Sequence, residues 1–224
     1  MFKDRNDAGI RLAKALEGYR DQNILVLAIP RGGVEVGYHV AKYLNADFSV
    51  IISRKLAFPD NPEAGFGAVA EDGSVYIIEQ YKTYLSSRVV AGIIEQQRKE
   101  IQRRIAAFRN SKPLPPIAAR QVILVDDGIA MGSTMRASLL LCRNQKARKV
   151  IVAAPVSGID TARMFRAVAD DVVILETPFF FYAVAQAYEQ WYDLPDSEVL
   201  EILHRWQREK AEKEQPNKNP EQLL

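Results

Sequence analysis

Two neighbouring carboxylates, Asp126 and Asp127, stand directly before a turn of small and hydroxyl side chains. The turn contains Gly128, Gly132, Ser133 and Thr134. Free N–H groups at the start of a helix bind phosphate, and glycine lets the backbone approach it closely. Carboxylates would repel that phosphate, and they suit sugar hydroxyls or a divalent cation bound through water. The pattern indicates a phosphate with sugar hydroxyls beside it, as in a ribose 5-phosphate; the alternative is an ordinary solvated turn.

A strand and a helix must position these groups. The apolar run 122–125 predicts a buried strand, and residues 135–145 predict a helix. The same order recurs earlier: strand 23–29, then the turn Pro30, Arg31, Gly32 and Gly33, then helix 34–44. This turn carries a cation instead of acids, so it suits a second anion unless it is only a tight turn. Ligands of parallel α/β sheets bind at the carboxyl ends of the strands, which would bring both turns together.

A further group of polar residues, after the acid pair and the arginine-bearing turn, follows the predicted strand 46–53. This pair is Arg54 and Lys55, and two cations at the end of a strand again point to the edge where ligands bind. A solvated basic pair is the alternative. Lone histidines at 39 and 204 fall within predicted helices, so no Ser/His/Asp set or metal–histidine set can be built.

The other segments complete an α/β pattern. Residues 56–73 hold loop-forming clusters and predict a long flexible lid, followed by strand 74–78. Residues 81–110 predict a helical insertion, and Arg103 and Arg104 on it could reach an anion. Strand 149–154, stopped by Pro155, helix 158–168 and strand 171–175 follow. We therefore expect an α/β fold with a doubly wound, mostly parallel five-stranded sheet.

The C-terminal part begins with the aromatic segment 178–192 and continues in a helix at 196–206. Residues 1–206 are predicted to form one domain, and residues 207–224 a charged tail that is frayed or disordered. Cys142 is the one cysteine, so the chain has no internal disulfide, and its place on an apolar helix face predicts packing.

The acid pair and its turn resemble the signature for 5-phosphoribosyl 1-diphosphate (PRPP) in type I phosphoribosyltransferases. The segments PRGGVEVG, ISRKL and VDDGIA extend the resemblance, which is nearest to bacterial phosphoribosyltransferase-like proteins of undefined acceptor. The resemblance implies Mg²⁺-dependent transfer of the phosphoribosyl group from PRPP to a nitrogenous base or amine, with release of diphosphate. It also implies a lid at 56–73, a hood at 178–206 that covers the acceptor, and a homodimer.

The resemblance assigns roles to individual residues. Asp126, Asp127, Arg54 and Lys55 would be catalytic, and the two acids would also hold Mg²⁺ through water. PRPP would be bound by Arg31, Gly32, Gly33, Gly128, Ile129, Ala130, Met131, Gly132, Ser133 and Thr134. Phe180 and Phe181 of the hood would contact a small flat acceptor, although aromatic residues also dominate cores and interfaces.

Two positions depart from the family pattern. Ala130 stands where purine-type enzymes place a carboxylate, which argues against hypoxanthine or guanine as acceptor, and Met131 stands where a hydroxyl donor is common. A protein that senses PRPP or a nucleotide without catalysis is therefore the alternative function. A net charge of +2 gives no argument for nucleic acid, and no apolar run reaches the ~20 residues of a membrane helix. A cytoplasmic protein is expected, because the first residues also lack the apolar core of a signal peptide.

Overall fold

The computed structural model describes residues 1–214 of the chain. Its strands are β1 (Ile24–Ala28), β2 (Asp47–Val50), β3 (Ser53–Phe58), β4 (Asn61–Ala70), β5 (Val75–Ile77), β6 (Gln121–Val125), β7 (Lys149–Val156) and β8 (Asp171–Glu176). Its α-helices are α1 (Arg5–Ala15), α2 (Gly33–Leu44), α3 (Ser87–Arg109), α4 (Ser133–Asn144), α5 (Ile159–Arg166) and α6 (Asp196–Glu214). In the part of the chain described, no helix has the length and apolar character needed to cross a bilayer.

Five parallel strands form the main sheet, in the order β2-β1-β6-β7-β8. This confirms the α/β class and the doubly wound sheet. The order reverses between β1 and β6, and such a switch point opens a crevice at the carboxyl ends of the two strands. Ala28 of β1 is level with Val125 of β6 in the register of the pair. The turns that follow these strands therefore begin side by side.

Residues 53–77 contradict the prediction of a long flexible lid loop. They form a second, antiparallel sheet in the order β3-β4-β5. Leu56 and Phe66 are buried in its core. The many glycines suggested a loop, but Gly67 lies in a strand because a Cβ there would come within 2.2 Å of the Tyr76 carbonyl oxygen. The glycine marks close approach of two strands, not loss of structure.

Among the element boundaries that differ from the sequence prediction, three change where predicted residues lie. The strand expected at 46–53 ends at Val50, so Arg54 and Lys55 lie inside β3 and do not follow a strand of the main sheet. Strand β7 continues through Pro155 to Val156, beyond the residues that pair with β6. Helix α6 continues to Glu214, into the segment expected to be a charged tail. Residues 215–224 of that predicted tail lie outside the described residues.

A buried ion pair joins the end of α3 to the second sheet. Arg109 and Glu71 are 6% and 8% exposed, and the Arg109 guanidinium donates to the Glu71 carboxylate. The Glu71 carboxylate also accepts from the backbone N–H of Ile52 at 2.8 Å, and Arg109 donates to the Val50 carbonyl at 3.3 Å. This pair therefore ties α3 to the segment between β2 and β3 on which the second sheet begins.

Cys142 packs inside the main core, as its helix position predicts, and burial raises the pKa of its thiol to about 12. The thiolate is the reactive form, so the native protein at pH 8 is expected to resist thiol reagents. Labelling with a chromogenic disulfide should proceed slowly in buffer and rapidly in denaturant. Fast stoichiometric labelling of the folded protein would contradict this burial.

Candidate functional site

The two predicted loops meet at the crevice between β1 and β6. The first runs from β1 through Pro30 to Gly33 at the start of α2, and its Pro30–Arg31 peptide bond is cis. The second runs from β6 through the acid pair to α4. The N–H of Ile29 donates to the Val125 carbonyl at 2.9 Å, which fixes the root of one loop against the other. The sequence prediction that both loops share one edge of the sheet is borne out by this geometry.

Two glycines of the first loop are required by the neighbouring acids. A Cβ on Gly32 would lie 1.7 Å from Oδ2 of Asp127, and one on Gly33 would lie 2.9 Å from Cα of Asp126. A side chain at Gly32 would have to displace the Asp127 carboxylate, and one at Gly33 would have to displace the backbone of the acid loop. The two loops are thus packed against each other through backbone and carboxylate atoms.

Replacing Gly32 by Ala is expected to destabilise the fold by about 1–3 kcal/mol, the range for overpacking, and to weaken ligand binding at the crevice. Gly92, in the interior of α3, is a matched control because a Cβ there meets nothing within 4 Å. Gly92→Ala should be neutral or stabilising by up to about 1 kcal/mol. Denaturant unfolding measures the free energy of unfolding of both variants. Equal values would show that the two loops rearrange around the added methyl group without loss of stability.

The second loop forms a cup at the start of α4. Gly132 has a φ of +77°, a left-handed conformation that glycine adopts easily, and Ser133 begins the helix. A cavity of about 270 Å³ lies over this turn. Its lining comprises Lys55, Glu63, Gly65, Asp126, Gly128, Ile129, Ala130, Met131, Gly132, Ser133, Thr134 and Val184. Every predicted phosphate-turn residue therefore borders one cavity.

The acid pair is the most strongly perturbed part of the site. Burial raises the pKa of Asp126 well above its usual range, and the negative charge of Asp127 adds to this rise. Burial also raises the pKa of Asp127, while Arg5 opposes that rise. Oδ1 of Asp126 accepts from the backbone N–H of Asp127 at 2.9 Å. A pair of carboxylates held at this energetic cost is typical of a functional site.

Arg54 and Lys55 do not act as one pair. Adjacent residues of a strand point to opposite faces. Lys55 lines the cavity and donates to the Glu63 carbonyl at 2.8 Å, whereas Nε of Arg54 donates to Gln97 of α3 at 3.1 Å. The sequence placed both cations at one strand end, and the structure separates them.

Arg54 belongs to an arginine cluster with Arg31, Arg103 and Arg104. Burial lowers the pKa of Arg54, and the positive charges of Arg104, Arg103 and Arg31 lower it further. Asp196 lies 4.0 Å from Arg31 and 3.1 Å from Arg103, while Glu100 pairs with Arg103 and Arg104. The helical insertion therefore does bring its two arginines near the first loop, and such a concentration of cations favours an anion.

One residue of the hood, Val184, also borders the cavity. A Cβ on Gly128 would lie 2.3 Å from Val184, so the hood packs directly on the acid loop. Phe181 lines a second cavity of about 290 Å³ with Ala130 and Met131. Phe180 stacks edge-on against Phe179 and is 71% exposed. Contact of either phenylalanine with an acceptor stays a prediction.

Two residues of the site were missed by the sequence reading. Tyr188 donates its hydroxyl to the Asp127 carbonyl at 2.5 Å, and Nε of Arg5 lies 2.7 Å from Oδ2 of Asp127. Arg5 had a detectable signal, since it falls on the buried stripe of α1 with Ala8, Gly9 and Leu12. A charged residue on an apolar stripe needs a buried partner.

The site offers few protein ligands for a metal ion. Within residues 1–214, no group of three or more His, Cys, Asp or Glu could hold one. The acid pair supplies two carboxylates, and Arg5 already occupies one oxygen of Asp127. These donors fit a cation that takes most of its ligands from a bound substrate, as Mg²⁺ does with phosphates.

Fold, crevice and loop order define a protein class, and comparison with known proteins agrees. The family model described as "Phosphoribosyl transferase domain" matches residues 3–189. The chain belongs to this family, which confirms the resemblance found in its sequence.

The relatives add detail. Proteins of two Mycobacterium tuberculosis strains, CDC 1551 / Oshkosh and H37Rv, both named as phosphoribosyl transferases, are 39% identical over 214 residues. The match covers 95% of this chain, but the chain spans only 48% of these curated relatives. The crystal structure of TT1426 from Thermus thermophilus superposes with a TM-score of 0.78 at 35% identity, over 92% of this chain and 98% of that one.

Proposed function

We propose that this protein transfers the 5-phosphoribosyl group of PRPP to a nitrogenous base or amine and releases diphosphate. One observation carries the proposal. A helix-start turn, an acid pair and an arginine-bearing glycine loop lie together at the switch point of the sheet. The donor has the matching order of groups: a phosphate, a diol and a diphosphate.

The reaction breaks the bond between ribose C1 and the diphosphate oxygen, and it forms a bond between C1 and the acceptor nitrogen. Diphosphate takes the electron pair of the broken bond, and the proton that the acceptor nitrogen loses passes to the released diphosphate or to solvent. Residues 128–134 would hold the 5-phosphate through backbone N–H groups and the hydroxyls of Ser133 and Thr134. The acid pair would receive the ribose hydroxyls and place negative charge near the sugar as it becomes cationic.

Cations would stabilise the leaving diphosphate. Arg31 and Arg54 lie with Arg103 and Arg104, and Asp196 and Glu100 pair with three of these four guanidinium groups, so the cluster keeps an excess of positive charge beside the first loop. Lys55, on the cavity side, would reach the 5-phosphate rather than the diphosphate, which revises its expected role. Mg²⁺, when bound by substrate oxygens and the acid pair through water, would neutralise further charge.

The acceptor is proposed to be a small flat nitrogenous compound. Phe181 and the exposed aromatic residues beside it support this, because stacking accepts flat rings. The missing carboxylate at Ala130 disfavours acceptors that need protonation there. Met131 is 55% exposed at the rim of both cavities and adds no hydrogen-bond donor. A sensor that binds PRPP without turnover is the second candidate, and it rests on these two positions.

Calorimetry followed by an acceptor screen tests the proposal. The chain is titrated with PRPP in the presence of Mg²⁺, and then bases and amines are screened for release of diphosphate. Heat of binding with acceptor-dependent release supports the enzyme. Binding without release from any acceptor supports the sensor, and no heat at millimolar PRPP rejects both.

Two further expectations, on cellular location and on oligomeric state, accompany this function. A cytoplasmic location stays a prediction that cell fractionation tests. The homodimer also stays a prediction, and light scattering coupled to size-exclusion chromatography would measure the mass in solution.

A further inference from the structure

Arg5 is the most deeply enclosed cation that touches the crevice. Its side chain is 4% exposed, and Nε lies 2.7 Å from Oδ2 of Asp127. Nη1 donates to the Tyr192 carbonyl at 2.9 Å, and the guanidinium lies 4.0 Å from the centre of the Trp191 ring. Three segments therefore meet at this guanidinium: α1, which carries it, the acid loop, and residues 191–192 of the hood.

The same guanidinium also borders the first loop. A Cβ on Gly32 would lie 2.8 Å from Nε of Arg5. The Arg5–Asp127 pair thus fills the space between the two loops that would hold the donor. An ion pair that only attached α1 to the core would not need to lie between these two loops.

The chemistry of the donor explains why a cation is useful there. Two adjacent carboxylates repel an approaching polyanion, and a guanidinium on one of them cancels part of that charge. Asp126 lines the cavity, and Arg5 pairs with its neighbour Asp127. Fixing Oδ2 of Asp127 also fixes the loop that Asp126 shares.

We propose that Arg5 is a positioning residue for PRPP that acts through Asp127, by neutralising this acid and by holding both loops in the geometry that receives the donor. The inference rests on the proposed function. It assigns to α1 and to the segment around Trp191 a part in donor binding, although neither carries a residue of the PRPP signature.

The test is a double-mutant cycle with a matched control. Arg5→Met, Asp127→Asn and the double variant are titrated with PRPP and Mg²⁺. Arg5→Met is expected to weaken PRPP binding by about 10- to 100-fold. This is the range found when a metal-binding side chain loses the hydrogen-bond partner that orients it. Because Arg5 acts through Asp127, the same change in the Asp127→Asn background should cost much less.

Arg11 provides the control. It also lies on α1, with its guanidinium 4.4 Å from the centre of the Phe2 ring and an ion pair of 3.4 Å to Glu176. Arg11→Met should lower thermal stability without changing the PRPP dissociation constant. Arg5→Lys, which keeps the charge, should recover part of the affinity and lower kcat less than Arg5→Met.

The outcomes separate the two proposals. Equal losses from Arg5→Met in both backgrounds, or an equal loss of affinity from Arg11→Met, would overturn the role of Arg5. If Arg5→Met does not fold, Arg5→Lys takes its place in the cycle, and additivity again overturns the inference. Absence of PRPP binding by the unaltered protein would instead reject the proposed function itself.

Discussion

Replacing Asp126 by Asn is expected to lower kcat/KM for phosphoribosyl transfer by about 100-fold or more, the loss found when one preorganised electrostatic contact is removed. Asp126 is the acid that lines the cavity over the phosphate turn. An amide keeps an oxygen that can accept from the Asp127 N–H at this position, so the loop should keep its shape. Diphosphate release and PRPP calorimetry measure the effect.

The stability of this variant should move in the opposite direction. Burial penalises the charged form of Asp126, so a neutral amide removes an energetic cost of the folded state. We expect a Tm equal to or above that of the unaltered protein. Asp21→Asn is the control, since this carboxylate is 65% exposed, pairs with Arg20 and lies before β1, at the opposite end of that strand from the first loop. Loss of activity with both variants would show that Asp126 has no special role.

Arg109→Met is expected to destabilise the fold by about 3–5 kcal/mol, because it leaves Glu71 buried without its cation. Burial already raises the pKa of Glu71, and Arg109 is the main group that opposes this rise. Urea unfolding measures the loss. Arg163→Met, at an arginine that is 73% exposed, should change stability by less than about 1 kcal/mol.

A second substitution separates the effect of the unpaired Glu71 charge from the effect of the lost Arg109 packing. Adding Glu71→Gln to Arg109→Met removes the stranded charge and keeps an acceptor for the Ile52 N–H. The double variant should recover a large part of the lost stability. Failure to recover would mean that the packing of the arginine, and not the ion pair, holds α3 to the second sheet.

The main sheet was predictable because its five strands are short apolar runs that end in turns with polar or glycine residues. The rule that ligands bind at the carboxyl ends of parallel strands then predicted that the two loops lie together, and the register of β1 and β6 agrees. The burial of Cys142 was likewise predictable from helical spacing. These features depend on local pattern, which a single sequence contains.

The features that were missed depend on contacts between distant segments. Arg5 and Asp127 are 122 positions apart, and the residues that flank either one give no indication of the other. Gly65 and Gly67 suggested a loop because composition does not show that this segment pairs with other strands, although one of them, β5, was itself predicted as strand 74–78. The separation of Arg54 from Lys55 was missed for the same reason, since the two side chains point apart only because they lie within a strand, β3.

The enclosure of Arg5 has a consequence for the order in which the protein matures during synthesis. Arg5 leaves the ribosome before its partners Asp127, Trp191 and Tyr192, and the Phe2 N–H likewise waits for the Ala187 carbonyl, which accepts it at 2.7 Å. The crevice is therefore completed only after residues 191 and 192 have been made, later than both strands of the switch point. A nascent chain that has reached only β8 already has both loops, but no hood aromatic residue covers the guanidinium.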